Sequence, residues 1–174
     1  MNNKLNDTCL SFNTSYGWLT LYASSKGLKE VRFGKLCKGR YGAPDPHKSL
    51  NVNLEIVKSD ILKYLQGTPV IFDYPMDVSF TTSQTNVFNK LNQILYGTTI
   101  SYKELADCVG TLRSNLSPRA CGSVLASNPL PIIIPCHRVI CANGELGGYA
   151  GGLHWKIALL KLENSNLFFK KLKS

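Results

Sequence analysis

No stretch of this 174-residue sequence approaches the roughly 18 consecutive apolar residues that a membrane-spanning helix needs. The first seven residues lack the apolar segment of a secretory signal, so we expect no export. Internal repeats and low-complexity segments are missing as well. Apolar residues still make up 44% of the chain, enough for one large or two small domains with real cores.

Acidic residues are scarce, since 11 Asp and Glu stand against 20 Lys and Arg, and the formal net charge is +9. Residues 1–80 have a net charge of +3, and residues 81–174 a net charge of +6. A basic excess in the second half is expected of a surface that faces a polyanion. A generically basic protein would carry the same charge, so charge alone leaves both interpretations open.

The sequence contains six cysteines, a large number for a chain of this size. Without a secretory signal they are more typical of thiols in a reducing cytosol than of a disulfide scaffold. We therefore expect a cytoplasmic protein.

The first part of the chain, residues 1–78, predicts a small α+β domain. Residues 9–33 have the composition and turns of a β-meander. Apolar residues at helical spacing predict a helix that reaches Leu65 and ends at Gly67, and residues 70–72 predict one more strand. A Gly- and Pro-rich loop occupies residues 35–47.

The second part, residues 79–168, predicts a helical domain, followed by a basic tail over residues 169–174. One helix is predicted around residues 87–95. Ser101 and Glu104 form the capping box of the next. Ser117 and Pro118 start a third, which reaches about residue 127. Two short helices joined by a loop are a helix-turn-helix pattern, and a last helix spans residues 153–163.

The central stretch of the sequence is residues 132–140. Three isoleucines predict a buried strand that Pro135 ends, which puts Cys136 at the start of a turn. Free backbone N–H groups and the adjacent His137 would then lower the pKa of the thiol and favour a nucleophilic thiolate. The alternative is that Cys136 is a small buried apolar residue and His137 a surface residue.

The third predicted helix has a face of small residues around one arginine, formed by Arg119, Gly122, Ser123, Ala126 and Ser127. Such a face suits close approach to a nucleic-acid groove. Close packing against another part of the protein is the alternative, and the pattern itself does not decide between them.

The motif Pro135-Cys136-His137-Arg138-Val139 resembles the active-site signature of the O6-alkylguanine-DNA alkyltransferases. Flanking segments resemble the same family, namely residues 128–131, residues 148–152, Ser101 with Tyr102, Leu105 with Ala106, Arg119 with Gly122, and residues 159–163. The resemblance is strong over residues 80–163 and weaker before them.

This resemblance implies a ribonuclease H-like α+β N-terminal domain and a winged-helix-like C-terminal domain that contains the cysteine. It implies a single-turnover methyltransferase that repairs O6-methylguanine, and O4-methylthymine as well, by flipping the base out through the minor groove. The implied partner is double-stranded DNA with O6-alkylguanine, and we expect a monomer that contacts no membrane.

The resemblance also assigns roles to individual residues. Cys136 is the alkyl acceptor, His137 and Glu163 form a Cys-water-His-Glu relay, and Tyr102 contacts the flipped nucleotide and donates a proton to it. Arg119 fills the gap in the base stack. Further DNA contacts are implied for Ser83, Gln84, Lys103, Ser123 and Ala142. The substrate pocket is implied to include Asn128, Val139, Tyr149 and Ala150.

Two departures from the family pattern stand out. The loop that contains Arg113 looks about three residues longer than in common members, which leaves a DNA contact by Arg113 open. Cys9, Cys37 and His47 lack the spacing of the zinc ligands that some members have, so we predict no metal and no cofactor. The alternatives are a lesion-binding protein without catalysis, a cysteine-based DNA-binding sensor and a thiol hydrolase.

Overall fold

The computed structural model describes residues 7–35, 51–110 and 116–163. The chain divides into two compact units, residues 1–79 and residues 80–174. Most of the predicted loop at 35–47, the long loop around Arg113 and the tail at 169–174 lie outside the described residues.

Three antiparallel strands form the sheet of the first unit, in the order β1 (Thr8–Thr14), β2 (Gly17–Ala23) and β3 (Leu28–Phe33). Helix α1 (Leu54–Leu65) follows, and the side chain of Asn53 accepts hydrogen bonds from two backbone N–H groups of its first turn. Val57 and Ile61 are fully buried on its inner face. The predicted meander and helix are confirmed.

The predicted strand at residues 70–72 is wrong. The segment is irregular and Ile71 is 91% exposed. The sheet is extended five residues later instead, where the Leu28 N–H donates to the Pro75 carbonyl at 2.8 Å and the Asp77 N–H to the Leu28 carbonyl at 2.9 Å. A short apolar run forms a strand only if a neighbouring strand can pair with it. Here Leu28 of β3 pairs with the chain around Met76 instead.

Where the structure describes it, the second unit contains four α-helices and a two-stranded parallel ladder. The elements are α2 (Thr82–Asn92), β4 (Ile100–Ser101), α3 (Tyr102–Val109), α4 (Pro118–Ala126), β5 (Val139–Ile140) and α5 (Leu153–Leu162). The capping box of Ser101 and Glu104 is confirmed, as is the start of α4 at Ser117 and Pro118. Helices α3 and α4 pack together as the predicted helix-turn-helix pair.

The segment before the cysteine is a buried turn and not the predicted strand. The Ile134 N–H donates to the Leu130 carbonyl at 2.8 Å, and Ile132 has a φ of +75°. A β-branched residue rarely adopts this conformation, and burial of the isoleucines holds it in place. A 3₁₀ turn over Cys136–Arg138, called here the active-site turn, follows at once, so the predicted turn at Cys136 is confirmed.

Within the described residues, no helix combines the length and the apolar character that crossing a membrane would require.

Candidate active site

The thiol of Cys136 is buried, with only 4% of the residue exposed. Its own N–H donates to the Ile134 carbonyl at 2.8 Å and is not a free donor, but it also acts on the thiol and favours the thiolate, as the sequence predicted. A side chain supplies a further hydrogen bond. The Asn128 amide donates to the Cys136 Sγ at 3.1 Å and to the Ile134 carbonyl at 2.9 Å, while its oxygen accepts from the Leu130 N–H. Asn128 therefore joins the end of α4 to the active-site turn.

The predicted lowering of the thiol pKa is wrong. Burial raises the pKa of Cys136, and the Asn128 hydrogen bond and the positive charge of Lys156 oppose this rise. At rest Cys136 is thus a protonated thiol, and a base must remove its proton before it can act as a nucleophile.

His137 and Glu163 form a fully buried pair, with Nε2 of the histidine 3.0 Å from Oε1 of the glutamate. Arg138 contacts the same carboxylate from its other side. Its Nε lies 3.1 and 3.0 Å from the two carboxylate oxygens, and its Nη2 lies 2.8 Å from Oε1. The second terminal nitrogen of Arg138 donates to the Ile94 carbonyl at 2.6 Å. One carboxylate is therefore shared between a neutralising cation and a histidine.

The charges of this group follow from burial and pairing. Burial alone raises the pKa of Glu163, but the hydrogen bonds from His137 and Arg138 outweigh it and hold the pKa at about 2. Burial lowers the pKa of His137, and Arg138 contributes in the same direction against the pull of Glu163. Because burial and the positive charges of Arg138 and Lys156 outweigh the pull of Glu163, His137 stays neutral and can accept a proton near pH 7.

A cavity of about 280 Å³ opens onto Cys136. It is lined by Tyr102, Gly122, Leu125, Ala126, Cys136, Gly148, Tyr149 and Ala150. The cavity thereby brings together with the cysteine Tyr102, which was predicted to contact the flipped nucleotide, and two of the four predicted pocket residues, Tyr149 and Ala150. Burial raises the pKa of Tyr102, and the nearby Cys141 and Cys136 thiols add to this effect, so its hydroxyl remains a proton donor at neutral pH.

The other two predicted pocket residues, Asn128 and Val139, are buried and do not line this cavity. The carbonyl of Val139 accepts a hydrogen bond from Lys156 at 2.7 Å.

Three of the predicted DNA contacts share one open depression of about 480 Å³ beside the cavity. Lys103, Arg119 and Ala142 line it together with Tyr102 and Gly122. Lys103, Arg119, Ser123 and Ala142 are exposed. Since Tyr102 and Gly122 line both spaces, the exposed basic surface adjoins the opening above the cysteine.

The predicted contacts on α2 lie apart from that depression. Ser83 is exposed, whereas Gln84 is half-buried and donates to the Ser127 hydroxyl at 3.0 Å. The same Gln84 side chain accepts from the Thr81 N–H in a capping box. These bonds fix α2 against the end of α4.

Sequence reasoning missed two charged residues of the site, Arg138 and Lys156. Arg138 lies inside the recognised motif, and the only signal for its role was its place beside His137. Lys156 is 0% exposed, and its signal was a lysine between the apolar residues Trp155 and Ile157 of α5. Among the described residues, no group of three or more His, Cys, Asp or Glu side chains is arranged to bind a metal ion.

Taken together, the site places a buried thiol, a neutral imidazole and a carboxylate next to a helix-turn-helix pair, an arrangement that can act as nucleophile, base and base-orienting group. Comparison with known proteins agrees. Residues 82–165 match the family described as 6-O-methylguanine DNA methyltransferase, DNA binding domain.

Relatives extend the match over most of the chain. The methylated-DNA–protein-cysteine methyltransferase of Methanosarcina acetivorans is 38% identical over 154 residues, 88% of this chain and 96% of its own. That of Saccharolobus islandicus is 32% identical over 152 residues, 87% of this chain and 92% of its own. The crystal structure of Mycobacterium tuberculosis OGT in complex with DNA has a TM-score of 0.74 at 33% identity, and the match covers 91% and 93% of the two chains.

The chain belongs to the methylated-DNA–protein-cysteine methyltransferases. The predicted fold class, a mixed α/β protein with a helical DNA-binding part, is confirmed.

Proposed function

We propose that this protein repairs O6-alkylated guanine in double-stranded DNA by moving the alkyl group onto Cys136, once per molecule. The observation that carries the proposal is the buried Cys136 thiol at the cavity, with a neutral His137 held by Glu163 behind it. The family of DNA-repair methyltransferases to which the chain belongs supports the reaction type.

In the proposed reaction, His137 removes the proton of Cys136 through an intervening water, because adjacent side chains on a chain seldom meet directly. Glu163 holds the imidazole and stabilises its protonated form, as a base-orienting carboxylate does. The thiolate attacks the alkyl carbon, a C–S bond forms, and the bond from that carbon to O6 of guanine breaks. The electron pair leaves with the purine, which takes a proton from the Tyr102 hydroxyl.

The exposed face of α4 is proposed to contact DNA, with Arg119 in the place of the extruded nucleotide. Flipping a base costs a few kcal/mol. A guanidinium can both stack on the neighbouring bases and form hydrogen bonds with the base on the opposite strand that has lost its pairing partner. The basic depression of Lys103 and Arg119 beside the cavity supports this arrangement. The relative from Mycobacterium tuberculosis, whose crystal structure is that of a complex with DNA, supports the choice of partner.

Locating the transferred group tests this proposal. The protein is incubated with duplexes that contain O6-methylguanine, O4-methylthymine or neither, and its peptides are mapped by mass spectrometry. We expect the O6-methylguanine duplex to place a methyl group on the peptide that contains Cys136. The variant Cys136→Ser should gain no methyl group, since a serine hydroxyl is a poorer nucleophile in this setting. Methyl on Cys121 or Cys141 instead would contradict the proposal, and the O4-methylthymine arm decides the wider substrate range.

The remaining predictions stay proposals. They are a monomeric state and a reducing, cytoplasmic location. Cys108, Cys121, Cys136 and Cys141 are free thiols, which supports a reducing compartment.

A further inference from the structure

Lys156 is a buried cation that the proposed transfer does not use. It lies near the start of α5 and is 0% exposed, next to the buried Trp155. Lysines are almost never fully buried unless their charge has partners. Because desolvation of this charge costs free energy, we looked for a function of Lys156 that would offset the cost.

All the hydrogen-bond acceptors of Lys156 within the described residues are backbone carbonyls. Its Nζ donates to the Val139 carbonyl at 2.7 Å, to the Leu146 carbonyl through a short bond and to the Gly148 carbonyl at 3.4 Å. Carbonyl dipoles satisfy the three N–H groups of an ammonium. They do not cancel a full unit of charge, so Lys156 leaves a positive field inside the unit.

The positions of the three carbonyls show that the charge of Lys156 lies beside the candidate active site. Val139 directly follows the active-site turn, and Gly148 lines the cavity that opens onto Cys136. The Lys156 Nζ also lies 5.8 Å from the centre of the Tyr102 ring, where a cation is attracted to the ring face. One side chain thus ties the active-site turn, the cavity wall and the tyrosine together.

We infer that Lys156 is a positioning residue for alkyl transfer, whose charge favours the thiolate of Cys136 while its carbonyl contacts fix the cavity wall. The inference rests on the proposed function, because it concerns the activation of the same cysteine. Lys156 touches neither the alkyl group nor the purine in this role, and it acts through Cys136.

The charges around Lys156 agree with this role. Burial lowers its pKa to about 8, an effect that negative charge on Cys136 or Cys141 opposes, so it is an ammonium at neutral pH. Its charge lowers the pKa of Cys136 and also that of His137. As pH rises through about 8, Lys156 loses its proton and the thiolate loses this support. The other group that faces it is the neutral Tyr102 hydroxyl and ring.

The first test is the pH dependence of single-turnover transfer from an O6-alkylguanine free base, which removes DNA binding from the measurement. Lys156→Met keeps most of the side-chain volume and removes the charge, and Lys156→Arg keeps the charge. Lys161→Met is the matched control, because Lys161 is an exposed lysine of the same helix. Thermal melting identifies any variant that fails to fold.

We expect Lys156→Met to move the rise of the rate to a pH about one unit higher, which is about tenfold slower transfer at neutral pH. Lys156→Arg should restore most of the difference, and Lys161→Met should match the unaltered protein. A purely structural role would lower the rate by one factor at every pH, and that result would overturn the inference. Failure of the unaltered protein to transfer the group would refute the proposed function itself.

A second measurement follows the thiol itself. Coupling between two groups is reciprocal, so removal of the Lys156 ammonium should raise the pKa of Cys136 further. The thiolate absorbance of Cys136, taken as the difference between fresh protein and protein spent on a methyl donor, is titrated in the unaltered protein and in Lys156→Gln, a second uncharged variant that serves if Lys156→Met does not fold. A Cys136 titration at the same pH in both proteins would overturn the inference.

Discussion

Arg138 contacts both carboxylate oxygens of Glu163, at distances between 2.8 and 3.1 Å, while His137 shares one of them. Burial is the main reason why the pKa of His137 lies below its ordinary value, and the charge of Arg138 lowers it further. A buried carboxylate whose only partner was the imidazole would favour imidazolium, which has no free site for the proton of a thiol. With Arg138 in place, the carboxylate orients a neutral base.

Arg138→Met should therefore raise the pKa of His137 and weaken it as a base at neutral pH. We expect the acid side of the pH–rate profile to move up by about one unit, with about tenfold slower transfer near pH 7. Removal of one partner from a buried pair should also cost about 3 kcal/mol of unfolding free energy. Single-turnover rates from a free-base donor give the profile. Arg138→Lys keeps the charge and should shift it less. A profile of unchanged shape in Arg138→Met would contradict this role.

The helices of the second unit could be predicted because their signals are local. Ser101 with Glu104, and Ser117 with Pro118, satisfy N-terminal groups within one turn, so the sequence contains both partners. The turn at residues 132–134 could not be predicted from local signals. Ile132 adopts a positive φ only because Leu130, Asn128 and the surrounding core hold it. The apolar pattern alone favours a strand there.

The chemistry of the cysteine was harder to predict than its identity. The motif around Cys136 could be recognised in the sequence. The pKa of its thiol could not be predicted, because burial controls it and burial depends on the fold of the whole unit. The partner of Arg138 lies 25 residues away along the chain, and that of Val139 lies 17 residues away. No local pattern specifies such pairs, so Arg138 and Lys156 became visible only in the structure.

Acid should destabilise the protein in two steps. The pKa of His137 lies below its ordinary value of 6.5, so the unfolded chain binds this proton more readily and stability falls as pH drops below 6.5. The pKa of Glu163 is about 2 instead of 4.5, so about 3 kcal/mol more is lost as pH falls from 4.5 towards 2. Lys156 adds no slope there, because it is protonated in both states well below pH 8.

Urea unfolding between neutral pH and pH 4 measures the first step. His137→Asn is the control, and its stability should vary less with pH between 6.5 and 5. Equal slopes in the two proteins would show that His137 is not the group that titrates.

Two neighbouring glycines that line the depression beside the cavity should respond differently to alanine. Gly147 has a φ of +67°, and a Cβ there would lie 3.0 Å from the ring and hydroxyl of Tyr102. Gly147→Ala should cost at least about 1–2 kcal/mol for the backbone conformation and should displace Tyr102, slowing transfer. Gly148 has no heavy atom within 4 Å of a built Cβ, so Gly148→Ala is the matched control and should keep its stability within about 1 kcal/mol. Equal losses of stability would contradict the assigned contact.

Arg119→Ala should impair repair of duplex DNA far more than reaction with a free base. Base flipping costs a few kcal/mol, and a free base bears none of that cost. Arg119 is exposed on α4, so its removal should leave the fold intact. Single-turnover rates on the two donors provide the comparison, and Lys161→Ala controls for the loss of one surface charge. The proposed role would fail if Arg119→Ala lowered both rates by the same factor.

The central claim is that Cys136 accepts one alkyl group and is then spent. A thioether is not a leaving group under mild aqueous conditions, so water at the site would not regenerate the thiol. Intact mass is therefore measured over time with a large excess of O6-methylguanine duplex, alongside the amount of guanine restored. The mass should rise by one methyl group and stop, with one lesion repaired per protein molecule. Continued repair beyond one equivalent, or repair without any gain in mass, would contradict the claim.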